Sequence, residues 1–138
     1  MYTVNDFFSG CGGLSQGFKE AGFKIQVGID KDETFLKTFS HNFQDSKTMH
    51  LDLGNDDDLD IIPKADIIIA GPPCQGFSLT GPRNIDDSRN KLYLSVFKTL
   101  KLNNPKAFLV ENVRGLKTMW EGMVFKEILK KFESAGYN

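Results

Sequence analysis

An α/β fold, a parallel sheet with helices on both faces, is what this sequence predicts, and two observations carry the prediction. Short aliphatic runs alternate along the chain with amphipathic stretches of helical period. Two of those runs, Ile67-Ile68-Ile69-Ala70 and Ala107-Phe108-Leu109-Val110, are apolar at every position. Strands buried on both faces read this way. At 138 residues the chain is the size of one ordinary domain.

Each element follows from its own residues. Val4 to Phe8 reads as a first strand, broken by Gly10-Cys11-Gly12-Gly13. Leu14, Phe18 and Ala21 share one face of a first helix, and Gly22 stops it. Ile25 to Ile29 is a second strand, and Phe35, Leu36, Phe39 and Phe43 mark the apolar stripe of a second helix. Thr48 to Leu51 is a weak third strand, and Asp66 to Ala70 a fourth. Leu92, Tyr93, Val96, Phe97 and Leu100 stripe a third helix that Pro105 closes. Ala107 to Val110 is a fifth strand, and Val124, Phe125, Ile128, Leu129 and Phe132 stripe a last helix with Gly136 just past its end. The acidic run from Gly54 to Asp60 lacks the spacing of a calcium loop and reads as a solvated loop. His41 and His50 have no partner motif and read as structural or surface residues.

Composition narrows the partners. Seventeen Lys and Arg face 18 Asp and Glu, a net charge of -1, so charge alone does not bind this chain to nucleic acid. The two cysteines, Cys11 and Cys74, form neither a disulfide scaffold nor a zinc spacing, and no metal is expected. Free thiols fit a reducing compartment. No signal peptide opens the chain, and no aliphatic run is long enough to span a membrane, so a cytoplasmic location without membrane partners is expected.

Ligands of such sheets bind at the carboxyl ends of the strands. The turn after the first strand, Asp6-Phe7-Phe8-Ser9-Gly10-Cys11-Gly12-Gly13, lets a ligand approach backbone. A dinucleotide fingerprint needs a glycine at position 15, where Ser15 stands. Asp30 ends the second strand, where a carboxylate accepts from two ribose hydroxyls; Asp52 can accept from an adenine amino group, and Phe8 can offer an apolar face to the ring. This describes a nucleoside pocket without a phosphate cradle, as S-adenosylmethionine requires. The plainer alternative is a tight turn with aspartates that only cap.

The fourth strand runs into Gly71-Pro72-Pro73-Cys74-Gln75-Gly76-Phe77-Ser78. Two prolines stiffen the approach to Cys74 and hold its thiol at the carboxyl edge of the sheet. Glu111 follows the fifth strand directly, and a carboxyl at the end of an apolar strand is expected to be partly desolvated and able to donate a proton. Alternatively, Glu111 or Asn112 caps the segment that follows. Consecutive strands are usually neighbours, which would put Cys74 and Glu111 over one pocket. A thiolate and a protonatable carboxyl suit attack at C6 of cytosine, with the carboxyl donating to N3 and accepting from the 4-amino group.

These motifs resemble the cytosine-5 DNA methyltransferase family. The resemblance rests on Asp6 to Leu14, on Gly71 to Ser78, on Asp87-Ser88-Arg89 and on Glu111-Asn112-Val113, and covers nearly the whole chain. It implies a Rossmann-like S-adenosylmethionine-dependent methyltransferase fold, incomplete at its C-terminal strands. Cys74 would be the nucleophile, Glu111 would engage N3, and Asn112 would hold the local backbone. Phe77 to Arg89 would be a mobile loop, with Ser78 and Arg89 contacting DNA or ordering that loop. Phe8, Ser9, Gly10, Cys11, Gly12, Gly13 and Leu14, with Asp30, Lys31, Asp52, Leu53, Pro72 and Leu92, would surround the cofactor, which leaves as S-adenosylhomocysteine. Lys31 stands where the family often carries an aromatic residue beside the ribose.

The family's Gln-x-Arg-x-Arg segment and target-recognition region are not in this sequence. Residues 1–138 are therefore expected to be a partial catalytic domain, a truncated piece or one subunit of a split enzyme, with little methyl transfer alone. A complementing C-terminal half, DNA bound through that missing sequence, and self-association through Ala107 to Val110 or exposed helix faces are the expected partners. The rival functions are cytosine methylation in RNA, a catalytically silent module that binds cofactor or steadies a partner, and, more distantly, a nicotinamide dehydrogenase.

Overall fold

The computed structural model describes residues 1–73 and 92–137. Five strands, β1 (Thr3–Phe7), β2 (Lys24–Asp30), β3 (Lys47–His50), β4 (Ile67–Ala70) and β5 (Ala107–Val110), form one sheet in the order β3-β2-β1-β4-β5. Every pairing is parallel. Order reverses at β1, so the ends of β1, β2 and β4 open on a common crevice. The helices are α1 (Gly13–Glu20), α2 (Glu33–Asn42), α3 (Tyr93–Asn103), a single turn α4 (Gly115–Thr118) and α5 (Met123–Ser134).

Two cores lie on opposite faces of the sheet. One gathers Val4, Ile25, Ile69, Phe39 and Phe43 under α1 and α2. The other gathers Phe7, Val27, Ile29, Ile68 and Ala70 with Val96 and Leu100 of α3 and Ile128 and Phe132 of α5. The two-residue period of a strand is visible in β4, where Ile68 and Ala70 join one core and Ile69 the other. A fully buried side chain of this size stabilises the fold by roughly 1.5–3 kcal/mol.

Gly28 sits on β2 because the ring of Phe39 lies on the strand. A Cβ there would meet Phe39 Cε1 at 2.6 Å. Gly12 precedes α1 at φ +93, and a Cβ there would run into the Phe43 ring. α2 begins at Asp32, whose side chain accepts from Thr34 N–H at 2.8 Å and Phe35 N–H at 3.2 Å. Such a cap contributes about 1 kcal/mol. α3 closes at Asn104, left-handed at φ 48, before Pro105.

Several expectations are corrected. Leu36, Phe39 and Phe43 form the buried stripe of α2, whereas Phe35 is 46% exposed. Leu129 likewise turns out of the α5 stripe, at 43% exposed. The acidic run is not wholly a solvated loop: Asp56–Ile61 winds into a 3-10 helix that buries Leu59. Leu59 and Ile62, three apart, both reach the core, and that apolar pair outweighs the run's charge. Among the described residues, no helix is long and apolar enough to cross a membrane.

Candidate active site

β1 ends at Phe7, and Phe8 takes a left-handed backbone at φ 57. That conformation costs a non-glycine residue on the order of 1–2 kcal/mol and turns the chain sharply over the sheet edge. Two hydrogen bonds fasten the turn to β2: Ser9 N–H donates to the Ile29 carbonyl at 3.0 Å, and Gly10 N–H donates to Asp30 Oδ2 at 2.9 Å. Asp30 Oδ1 accepts from Asp32 N–H at 2.9 Å. Both Asp30 oxygens are therefore aimed by backbone donors, and each retains a lone pair.

Beside this carboxylate lies a cavity of about 300 Å³. Of the residues expected around a cofactor, Phe8, Gly10, Asp30, Lys31, Asp52, Leu53 and Leu92 line it. Asp52 Oδ1 accepts from Gly54 N–H at 2.9 Å, which fixes its rotamer. Ser9, Cys11, Gly12, Gly13, Leu14 and Pro72 do not form its wall. Cys11 is exposed and free, its carbonyl accepting from Asn42 Nδ2 at 3.0 Å, while Gly12 and Gly13 open α1. Ser9 is buried within the turn, Leu14 is half-buried in α1 with its Cδ1 3.9 Å from where a Cβ on Gly71 would sit, and Pro72 is buried beside Pro73, which does reach the cavity.

The wall also holds Asp32, Phe35, Leu51, Gly71 and Pro73, which the sequence reading had not put there. Asp32 was legible: an aspartate two residues past a strand, before a helical pattern, is an N-cap signal. His50, expected to be structural or at the surface, is both: it is exposed, and its Nε2 lies 2.9 Å from the Lys31 carbonyl and steadies the rim. As a carbonyl only accepts, Nε2 carries the proton.

Beneath the turn, Ser15 Oγ donates to Asp6 Oδ2 at 2.7 Å. Asp6 is buried, and burial pushes its carboxyl up to about 7 against the pull of that bond. Asp6 Oδ1 and Ser9 Oγ, both buried, lack hydrogen-bond partners among the described residues.

On the other side of the crevice, Gly71 N–H donates to the Phe7 carbonyl at 3.3 Å and Glu111 N–H to the Ala70 carbonyl at 2.8 Å. These bonds carry the sheet one residue past β4 and β5. Glu111 Oε2 lies 3.9 Å from where a Cβ on Gly71 would sit. The carboxylate thus stands against the start of the Gly71-Pro72-Pro73 run that leads to Cys74. Asn112 is half-buried, and its Oδ1 accepts from Val113 N–H at 2.8 Å. The desolvation expected of Glu111 is not found: the residue is exposed, because a β5 of only four residues at the sheet edge leaves its end uncovered. Cys74, Ser78 and Arg89, with the whole stretch from Phe77 to Arg89, lie outside the described residues. Among the described residues no cluster of His, Cys, Asp and Glu could hold a metal ion.

Comparison with known proteins meets this geometry from outside. The chain is 39% identical, over 99% of its length, to the type II methyltransferase M.AgeI of Thalassovita gelatinovora. It is 42% identical, over 95%, to the type II methyltransferase M.FnuDI of Fusobacterium nucleatum. It spans 33% and 38% of those two relatives. The crystal structure of a prophage-encoded DNA modification methyltransferase from E. coli superposes on 97% of the chain with a TM-score of 0.80 at 32% identity, the chain covering 38% of that structure. The sheet and its helices thus share the open fold of S-adenosylmethionine-dependent methyltransferases. Residues 2–138 match the C-5 cytosine-specific DNA methylase family, and the chain belongs to it.

Proposed function

We propose that this chain is the cofactor-binding and nucleophile-bearing part of an enzyme that methylates C5 of cytosine in DNA. The observation that carries the reading is that one residue serves both halves of the site: Gly71 lines the nucleoside cavity and also adjoins the Glu111 carboxylate. A donor in the cavity and a base held at Glu111 would be separated by little more than the strand end.

The residues fit S-adenosylmethionine. Asp30 has a free lone pair on each oxygen for the two ribose hydroxyls, Phe8 and Leu92 offer apolar faces to the adenine, and Asp52 can accept from its amino group. The unpartnered Asp6 Oδ1 and Ser9 Oγ leave acceptor capacity beside the glycine turn. When bound, the cofactor supplies an electrophilic methyl group on a sulfonium.

The chain's own groups do the rest. The Cys74 thiolate forms a bond to C6 of the cytosine. The ring electrons move toward N3, where Glu111 donates a proton, and the other Glu111 oxygen accepts from the 4-amino group. C5 is then nucleophilic and takes the methyl group. Loss of the C5 proton to a base restores the double bond and expels Cys74 as thiolate, and the N3 proton returns to Glu111. A base in duplex DNA must first be extruded. Ser78 and Arg89 are assigned to DNA contact or loop ordering, and Asn112 to holding the Glu111 loop.

Target recognition is assigned to the part of the relatives that this chain does not span, which accords with its balance of 17 basic and 18 acidic residues. The outer edge of β5, where Leu109 is 42% exposed, is assigned to contact with that part or, without it, with a second copy. The names of the type II methyltransferase relatives and the family match favour DNA over RNA.

The test supplies the remaining segment of a relative in trans, with S-adenosylmethionine and an oligonucleotide carrying 5-fluorocytosine. Fluorine cannot leave as the C5 proton does, so the adduct is trapped. Mass spectrometry is expected to show a DNA adduct on Cys74 that Cys74→Ser abolishes. An adduct on RNA alone, or none on either, overturns the reading.

A further inference from the structure

Phe35 belongs to the second helix by sequence but not to its core. The buried stripe of α2 runs through Leu36 and Phe39, and Phe35 lies one position off it, 46% exposed. A half-exposed aromatic is unremarkable on a convex surface. Phe35 is instead part of a concave wall, in the same cavity as Phe8, Asp30, Asp52 and Leu92.

Its position is fixed by the group that fixes the ribose acceptor. Asp30 Oδ1 takes the N–H of Asp32 at 2.9 Å, and Asp32 Oδ1 takes the N–H of Phe35 at 3.2 Å. Two successive hydrogen bonds therefore link the carboxylate to the backbone that carries the ring. Lys31, between them in sequence, lines the cavity with an exposed, flexible, charged side chain and no aromatic face.

We propose that Phe35 is a second aromatic wall of the nucleoside pocket besides Phe8, contacting the adenosine half of the ligand from one turn into α2 in place of an aromatic side chain at position 31. An aromatic face packs against a purine or ribose with large contact area and little loss of rotamer freedom. The carboxylate selects the ribose hydroxyls, and Phe35 selects a flat, apolar-faced base beside them. Asp30, Asp32 and Asp52 outnumber Lys31 on the wall, which disfavours an anionic ligand, and Phe35 adds the apolar face that an uncharged base requires.

This rests on the cofactor reading above, and the experiment separates the two. S-adenosylhomocysteine is titrated calorimetrically into the full chain, unaltered and as Phe35→Ala, Phe35→Leu, Phe35→Tyr and Asp30→Ala. Phe35→Ala is expected to weaken binding about tenfold, which corresponds to about 1.4 kcal/mol. Phe35→Tyr should bind within twofold of the unaltered chain, and Phe35→Leu should fall between. The thermal midpoint without ligand should move little for any Phe35 variant, since the ring lies outside the core. If Asp30→Ala weakens binding while Phe35→Ala or Phe35→Leu binds within twofold of the unaltered chain, the cofactor reading stands and this proposal falls. If the unaltered chain does not bind the ligand, both fall.

Discussion

The Gly10 amide donates to Asp30 Oδ2 at 2.9 Å, across twenty residues of sequence. This bond joins the turn after β1 to the end of β2, so the wall of the cavity and its acceptor are placed by one contact. A hydrogen bond to a charged group contributes about 1.5–3 kcal/mol. Asp30→Ala removes the ligand's acceptor and frees the turn together. Its expected effect is a loss of S-adenosylhomocysteine affinity of about ten- to a hundredfold, read by calorimetry. Asp30→Asn keeps one acceptor oxygen and should lose less.

Asp6 makes the fold sensitive to pH near neutrality. Its carboxyl titrates at 3.8 when unburied and is pushed up to about 7 in the fold, chiefly by burial. The unfolded chain thus releases this proton more readily than the folded one. The stability that goes with protonated Asp6 is whole below about pH 4 and is lost as the pH rises through about 7. Asp6→Asn stays neutral throughout. Thermal melts at pH 5 and pH 8 should show a smaller difference between the two midpoints for Asp6→Asn than for the unaltered chain. An equal difference would mean that Asp6 ionises freely in the fold.

The opposite sign holds at the other end of the sheet. Asp66 Oδ2 accepts from the Thr3 amide at 2.9 Å and the Thr3 hydroxyl at 3.0 Å, and Oδ1 lies 2.8 Å from Lys106 Nζ. The Lys106 partner first, then Thr3, lower the Asp66 carboxyl to about 2. Its contribution is therefore present above about pH 4 and is lost as the pH falls through about 2. The group is open to solvent, so the effect is screened by salt. Lys106→Met should raise the midpoint of acid unfolding at low ionic strength, and the shift should shrink in 1 M salt. A midpoint unchanged at low salt would mean that Thr3 alone holds the carboxylate.

The parts of the molecule that were legible in the sequence are those with a local physical signature. β4 was placed within a residue because a strand buried between two helical layers must be aliphatic at successive positions, as Ile67-Ile68-Ile69 is, and β5 because Ala107 to Val110 is an unbroken apolar run, although it lies half-open at the sheet edge. Asp30 and Asp52 were singled out because ligands gather at strand ends. Phe35 was misplaced because an apolar residue at helical spacing looks the same whether it faces a core or a cavity mouth; a rotation of 100° decides it. The 3-10 helix was hidden because Leu59 is one apolar residue in an acidic run, and only the tertiary neighbours of Leu59 show why it is inside. Glu111 shows the converse. Its place after β5 was legible, but its exposure depends on what covers the sheet edge, which no local pattern encodes.

The contact of Gly28 with Phe39 offers the most direct test of the packing under the site. Phe39 is fully buried, and its ring occupies the space a side chain on Gly28 would need, with Cε1 only 2.6 Å from a Cβ built there. β2 ends two residues later at Asp30, so any shift of the strand reaches the cavity. Overpacking of this kind costs typically 1–3 kcal/mol. Gly28→Ala is expected to lower the thermal midpoint and to weaken nucleoside binding, although Gly28 does not line the cavity. Phe39→Leu alone should also destabilise, by loss of buried area. Because the two residues compete for one volume, the double variant should be less destabilised than the sum of the singles, with a coupling of about 0.5–3 kcal/mol. Strict additivity in chemical denaturation would mean that the ring swings aside at no cost, and that β2 is not held by it.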